Sequence, residues 1–139
     1  MNHLQQITRS LEQLADLGVD ITPAVYEQFF AQCPEAAGLF GTNEARSAQG
    51  KMVAELVQTV LDRLEGKPYG PVVVETMVSD HDSWGVTLPM YDAFLAAFSY
   101  VLEKTLAEQQ AESAIMAAWR SELGALREQI RQTLERYQV

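Results

Sequence analysis

The chain has 139 residues, of which 47% are apolar and 21% charged, a balance typical of a single folded domain over residues 1–139. Its net charge of −9 argues against nucleic acid and anionic membranes as partners, because both require a basic surface. No apolar run approaches the roughly 18 residues of a membrane span, and the first residues lack the features of an export signal. Cys33 is the only cysteine, which excludes an internal disulfide. We therefore expect a cytoplasmic protein.

Apolar residues recur at helical spacing along most of the chain, which predicts an all-α fold. A first helix should end at Gly18, because glycine readily adopts the left-handed conformation that closes a helix. Thr22 is expected to cap a short second helix that has Pro23 in its first turn. Pro34 begins one or two further turns that reach Phe40.

The second half of the chain predicts longer helices. After a loop at 41–43, a helix is expected from about 45 to 64, where glycines and prolines break it. The segment 72–74 has strand propensity, but no partner strand is evident, so a helix is predicted there. Thr87 can cap the following helix, and a last helix carries Trp119. About seven helices around one core are expected.

His81 is the most informative residue for function. It is one of two histidines, the other being His3. One imidazole cannot build a multi-histidine metal site, but it can supply the protein ligand that a haem iron needs, because the porphyrin supplies four nitrogens. An isolated histidine near a helix end is more often a capping or exposed residue, so the residues around it decide between the two interpretations.

Several residues stand in register with His81. These residues and motifs are Tyr26 with Phe29-Phe30, Cys33-Pro34-Glu35, Phe40, Gln49-Gly50 with Val53, Gly85-Val86, Tyr91 and Ala118-Trp119. With them the chain resembles the globin family, and within it the haem domain of flavohaemoglobins and the bacterial single-domain haemoglobins. The resemblance runs from about residue 5 to 132, and it implies a globin fold of about seven helices around a haem pocket.

The resemblance implies haem b as the cofactor, with His81 as the proximal iron ligand through Nε2. Its Nδ1 would donate to a backbone carbonyl or to Tyr91. Tyr91 is a candidate for the proximal network, in which the family also uses a glutamate on the last helix. Glu135 lies one residue away from the register that Trp119 sets for that glutamate. The alternative for Tyr91 is plain packing.

On the distal side, the resemblance implies that Tyr26 and Gln49 donate hydrogen bonds to a bound ligand. The alternatives are an ordinary core tyrosine and a solvated glutamine. Six residues are expected to wall the haem, and all would be core residues in either case. They are Phe40, Val53, Met77, Val86, Phe98 and Trp119.

Two further expectations concern packing and charge. Cys33 is expected to be a small buried apolar residue. The charged residues of the last helix are expected to form a solvated, salt-bridged face. They are Arg127, Glu128, Arg131, Glu135 and Arg136.

The resemblance implies a monomer or homodimer that binds dioxygen, nitric oxide and carbon monoxide. Two activities stay open: oxygen binding or delivery, and dioxygenation of nitric oxide to nitrate. The second needs a separate reductase, because the chain ends at Val139 with no flavin or nicotinamide domain. Two alternatives of other classes are a haem-based gas or redox sensor and a haem-free globin-fold module in signalling.

Overall fold

A computed structural model describes residues 2–40, 43–67, 70–82, 84–109, 111 and 113–137, without the side chains of 40, 43–48, 70, 71 and 137. All regular structure in this part of the chain is helical, which confirms the prediction of an all-α fold. The helical segments are α1 (His3–Leu17), α2 (Thr22–Gln32), a 3-10 helix (Pro34–Phe40), α3 (Asn43–Leu64), α4 (Gly70–Asp82), α5 (Leu88–Glu108) and α6 (Ser113–Tyr137).

The first two helix boundaries show which local expectations hold. Gly18 adopts φ +65° and its N–H reaches the carbonyls of Ala15 and Leu14, so the predicted cap is confirmed. The prediction that Thr22 caps α2 is wrong by one residue, because Ile21 is the capping position. The Thr22 N–H instead donates to Oδ1 of Asp20 at 3.0 Å, so an aspartate two residues earlier takes the acceptor role.

Three later boundaries also test the sequence. Thr87 is the capping position of α5, as predicted. The segment 72–74 lies within α4, which confirms helix over strand. Asn43 was expected in a loop but is the first residue of α3, where asparagine is well tolerated at a helix start. Gly41 and Thr42 of that loop lie outside the described residues.

Helices α3 and α4 contact each other, and the other helices pack around them as follows. Helix α2 packs against α5, and α6 contacts α1, α4 and α5. Helix α3 also contacts α2 and the 3-10 helix. This arrangement places Gln49 and Val53 on one of two neighbouring helices and His81 on the other.

Among the described residues, Trp119 is the largest fully buried side chain, and it joins three helices. Its indole lies edge-on to Phe98 of α5, with ring centroids 5.5 Å apart. Its Nε1–H donates to the hydroxyl of buried Ser10 in α1 at 2.8 Å, and that hydroxyl donates to the carbonyl of Ile7 at 2.7 Å. Because a buried N–H without an acceptor is costly, Ser10 ties α1 to α6.

The structure agrees with the two expectations on the burial of Cys33 and on the charged face of the last helix. Cys33 is buried. Arg131 pairs with Glu128 and Glu135 along α6, as predicted. Two of the predicted charged residues pair with other helices: Arg127–Asp92 reaches α5 at 2.8 Å, and Arg136–Glu75 reaches α4 at 2.9 Å. None of the described helices combines the length and hydropathy of a bilayer-spanning helix.

Replacement of Ser10 by alanine should lower the free energy of unfolding by about 1–3 kcal/mol, because the Trp119 indole N–H loses its acceptor inside the core. Urea unfolding followed by circular dichroism measures the change. Ser121→Ala removes an exposed hydroxyl from the helix that carries Trp119, and it should change stability by less than about 0.5 kcal/mol. Equal stability of the two variants would contradict the role of Ser10.

Candidate functional site

His81 lies in the last turn of α4 and is partly buried. Its Nδ1 is 2.7 Å from the carbonyl oxygen of Met77, one helical turn earlier. A carbonyl oxygen only accepts hydrogen bonds, so Nδ1 carries the hydrogen and donates. In the neutral ring, Nε2 then keeps its lone pair. The expected partner of Nδ1 was either a backbone carbonyl or Tyr91, and in the structure it is the Met77 carbonyl.

A tight turn follows His81 and brings a second aromatic ring onto it. The carbonyl of His81 accepts from the N–H of Trp84 at 3.0 Å and from that of Val86 at 3.1 Å. Gly85 adopts φ +78°, a left-handed conformation that side chains disfavour. The Trp84 and His81 ring centroids are 5.2 Å apart, with the planes at 66°. Sequence reasoning missed Trp84, although its position three residues after a helix-terminal histidine was an available signal.

Tyr91 of α5 also contacts His81, with ring centroids 6.0 Å apart. Its hydroxyl is buried and has no hydrogen-bond partner among the described residues. Burial raises the pKa of the Tyr91 phenol, and the negative charge of Asp82 raises it further. Glu135 is exposed and pairs with Arg131. The proximal network of Tyr91 with a glutamate thus stays a prediction.

The two predicted distal residues meet, but through a backbone atom. The hydroxyl of Tyr26 in α2 donates to the main-chain carbonyl of Gln49 in α3 at 3.1 Å. Burial raises the pKa of Tyr26, so the phenol stays protonated and remains a donor at neutral pH. Its ring contacts Phe30 at 5.7 Å and Phe94 at 5.8 Å between centroids. Phe94 was not among the residues predicted for the site.

Of the six residues expected to wall a haem, the five with described side chains fall into three groups. Met77 and Val86 are partly buried and border His81 along the chain. Val53 is buried on α3, one turn after Gln49. Phe98 and Trp119 contact each other in the core. The side chain of Phe40 lies outside the described residues.

The family model for globins, described as Globin, matches residues 23–130. The chain belongs to the globin family. Together with the all-helical structure, this confirms the predicted globin fold. No curated protein matches the sequence of this globin. Globins generally bind haem and, at its iron, small gas molecules.

The residues around His81 fit a haem in this globin. The tautomer set by Met77 leaves Nε2 free to bind a metal, as in most metal-ligating histidines. Val73, Met77 and His81 recur at four-residue intervals and so share one face of α4. Val73 is 45% exposed, so this face offers apolar surface to a flat apolar group. Within the described residues, no three histidine, cysteine, aspartate or glutamate side chains form a site for a bare metal ion.

Tyr26 and Tyr91 should make the globin less stable in alkali. Burial raises the pKa of both phenols above the ordinary 10.0, so the unfolded chain releases these protons at a lower pH than the folded chain. Their contribution to stability is therefore complete below about pH 10 and decreases as the pH rises above it. Urea unfolding over a series of alkaline pH values measures the decline.

The ultraviolet absorbance of tyrosinate provides the control for this titration. The double variant Tyr26→Phe, Tyr91→Phe should lose the phenols that ionise last. Tyr100→Phe removes a phenol that is 52% exposed and should leave those late steps in place. If all phenols of the wild-type protein ionise together in the folded state, the prediction is wrong.

Proposed function

We propose that this globin binds haem b through Nε2 of His81 and uses it to bind dioxygen reversibly, as a single domain over residues 1–139. In this it would resemble the haem domain of flavohaemoglobins and the bacterial single-domain haemoglobins. When bound, haem supplies the iron at which a diatomic ligand is held. The observation that carries the proposal is the hydrogen bond from His81 Nδ1 to the Met77 carbonyl, because it reserves Nε2 for the metal.

Tyr26 is the proposed distal donor. Its phenol is buried, protonated and held beside α3 by the carbonyl of Gln49. The hydroxyl hydrogen can rotate about the bond to the ring, so the same group can donate to a ligand instead of to the carbonyl. A hydrogen bond to a partly charged ligand contributes about 1.5–3 kcal/mol. The amide of Gln49 is the proposed second donor, since it is on the helix that Tyr26 contacts.

Apolar residues near Gln49 and His81 would keep water away from a bound haem. Val53 follows Gln49 by one turn on α3 and is buried. Met77 and Val86 border His81. A dry pocket strengthens the hydrogen bond from Tyr26, because water would otherwise compete for the same ligand atoms.

The acceptor for His81 favours oxygen binding over oxidative catalysis. A neutral carbonyl draws less on the Nδ1 proton than a carboxylate does, so the imidazole gives less electron density to a metal. Nitric oxide and carbon monoxide are expected at the same site. Dioxygenation of nitric oxide is the second candidate, since the contact of Tyr91 with His81 provides a place for a stronger proximal network. It would require a reductase that returns the iron to the ferrous state.

His81→Ala should abolish stable haem binding, because the other histidine of the sequence, His3, lies against Glu122. The absorption spectrum of the purified protein, ferric, ferrous and with carbon monoxide, measures haem content and coordination. His3→Ala is the matched control, since His3 binds Glu122 at 2.8 Å, and it should keep the wild-type spectrum. A His81→Ala protein with a normal ferrous spectrum would refute the ligand assignment. A wild-type protein without haem absorption would favour a haem-free module.

Tyr26→Phe should raise the dioxygen dissociation rate by about tenfold or more, because the variant loses one hydrogen bond to the ligand. Stopped-flow displacement of dioxygen by carbon monoxide measures this rate. Tyr100→Phe alters an exposed phenol of α5 and should leave it unchanged. An unchanged rate in Tyr26→Phe would remove Tyr26 from the distal pocket.

A further inference from the structure

Trp84 is an exposed aromatic residue that contacts the proposed iron ligand. Its side chain is 62% exposed, although indole is largely apolar. It is nevertheless in contact with the partly buried ring of His81, 5.2 Å between centroids. The planes meet at 66°, the edge-to-face arrangement that aromatic rings favour. The indole therefore contacts the imidazole in an edge-to-face arrangement while most of its own surface faces solvent.

The backbone fixes Trp84 in this place. Its N–H donates to the carbonyl of His81 at 3.0 Å, so the two residues are joined through the main chain as well as through their rings. Gly85 donates to the carbonyl of Asp82 at 3.0 Å and closes the turn with φ +78°. The turn that ends α4 thus places the main chain of Trp84 next to His81.

We propose that Trp84 is a positioning residue for His81, a role that rests on the proposed function. The Met77 carbonyl holds one edge of the imidazole, and Trp84 blocks rotation of the ring towards solvent. The indole also limits the access of water to the Nδ1–Met77 hydrogen bond. Without it, the imidazole would sample more orientations, and Nε2 of His81 would hold a haem iron less firmly.

Trp84→Ala, Trp84→Phe and the control Tyr100→Ala test this role in the haem-loaded globin. Tyr100→Ala removes another exposed aromatic ring, but from α5. Two measurements are made on each: the rate of haem transfer to an acceptor apoprotein, and the iron–histidine stretching band of the ferrous, ligand-free protein. Trp84→Ala should lose haem roughly two- to tenfold faster, the range expected from an aromatic pair, with a shifted or broadened band. Trp84→Phe should restore most of both, and Tyr100→Ala should match the wild type.

The outcomes separate this proposal from the proposed function. If the wild-type protein binds no haem, both fail. If it binds haem and Trp84→Ala leaves the stretching band and the haem transfer rate unchanged, only the positioning role fails. If Trp84→Ala lowers the urea midpoint but leaves the band unchanged, Trp84 acts on stability alone and the positioning role is likewise overturned. A changed band at an unchanged urea midpoint supports it.

Discussion

The hydrogen bond from His81 Nδ1 to the Met77 carbonyl is the interaction on which the site depends. Its acceptor is a main-chain atom one turn earlier, so it is supplied by the helix and not by the side chain at position 77. The tautomer of His81 is therefore a consequence of α4 remaining helical up to Asp82. A kink or early end in this helix would move the carbonyl away and release the ring.

The position of α4 rests on packing more than on charge. Val74 and Val78 are almost completely buried and, one turn apart, anchor one side of the helix. His81 occupies an adjacent side and is only partly buried. The pair Arg136–Glu75 links α6 to the same helix, but exposed ion pairs of this kind contribute little free energy. Burial of these two valines thus fixes the position of α4 and, with it, the position of His81.

Helical periodicity was sufficient to predict an all-α fold, because a buried apolar face repeats over many residues and tolerates local error. The globin arrangement of those helices was implied by the family resemblance. Helix starts were less predictable, since Asp20 and Thr22 can both supply cap interactions and only the backbone decides between them. In the site, the family resemblance implied that Tyr26 and Gln49 share the distal side. It could not predict that the Gln49 main chain would accept a hydrogen bond from Tyr26, or that Trp84 would contact His81, because rotamers follow tertiary contacts.

The bond between Ser10 and Trp119 has a consequence for how much of the chain forms one cooperative unit. The segment that matches the globin family model begins at residue 23, whereas Ser10, Ile7 and Leu14 are buried in α1 before it. Leu134, after the matched segment, is buried as well. A fragment trimmed to 23–130 would expose the Trp119 indole and the core beneath α1. The smallest autonomous folding unit is therefore larger than the region by which the family is recognised.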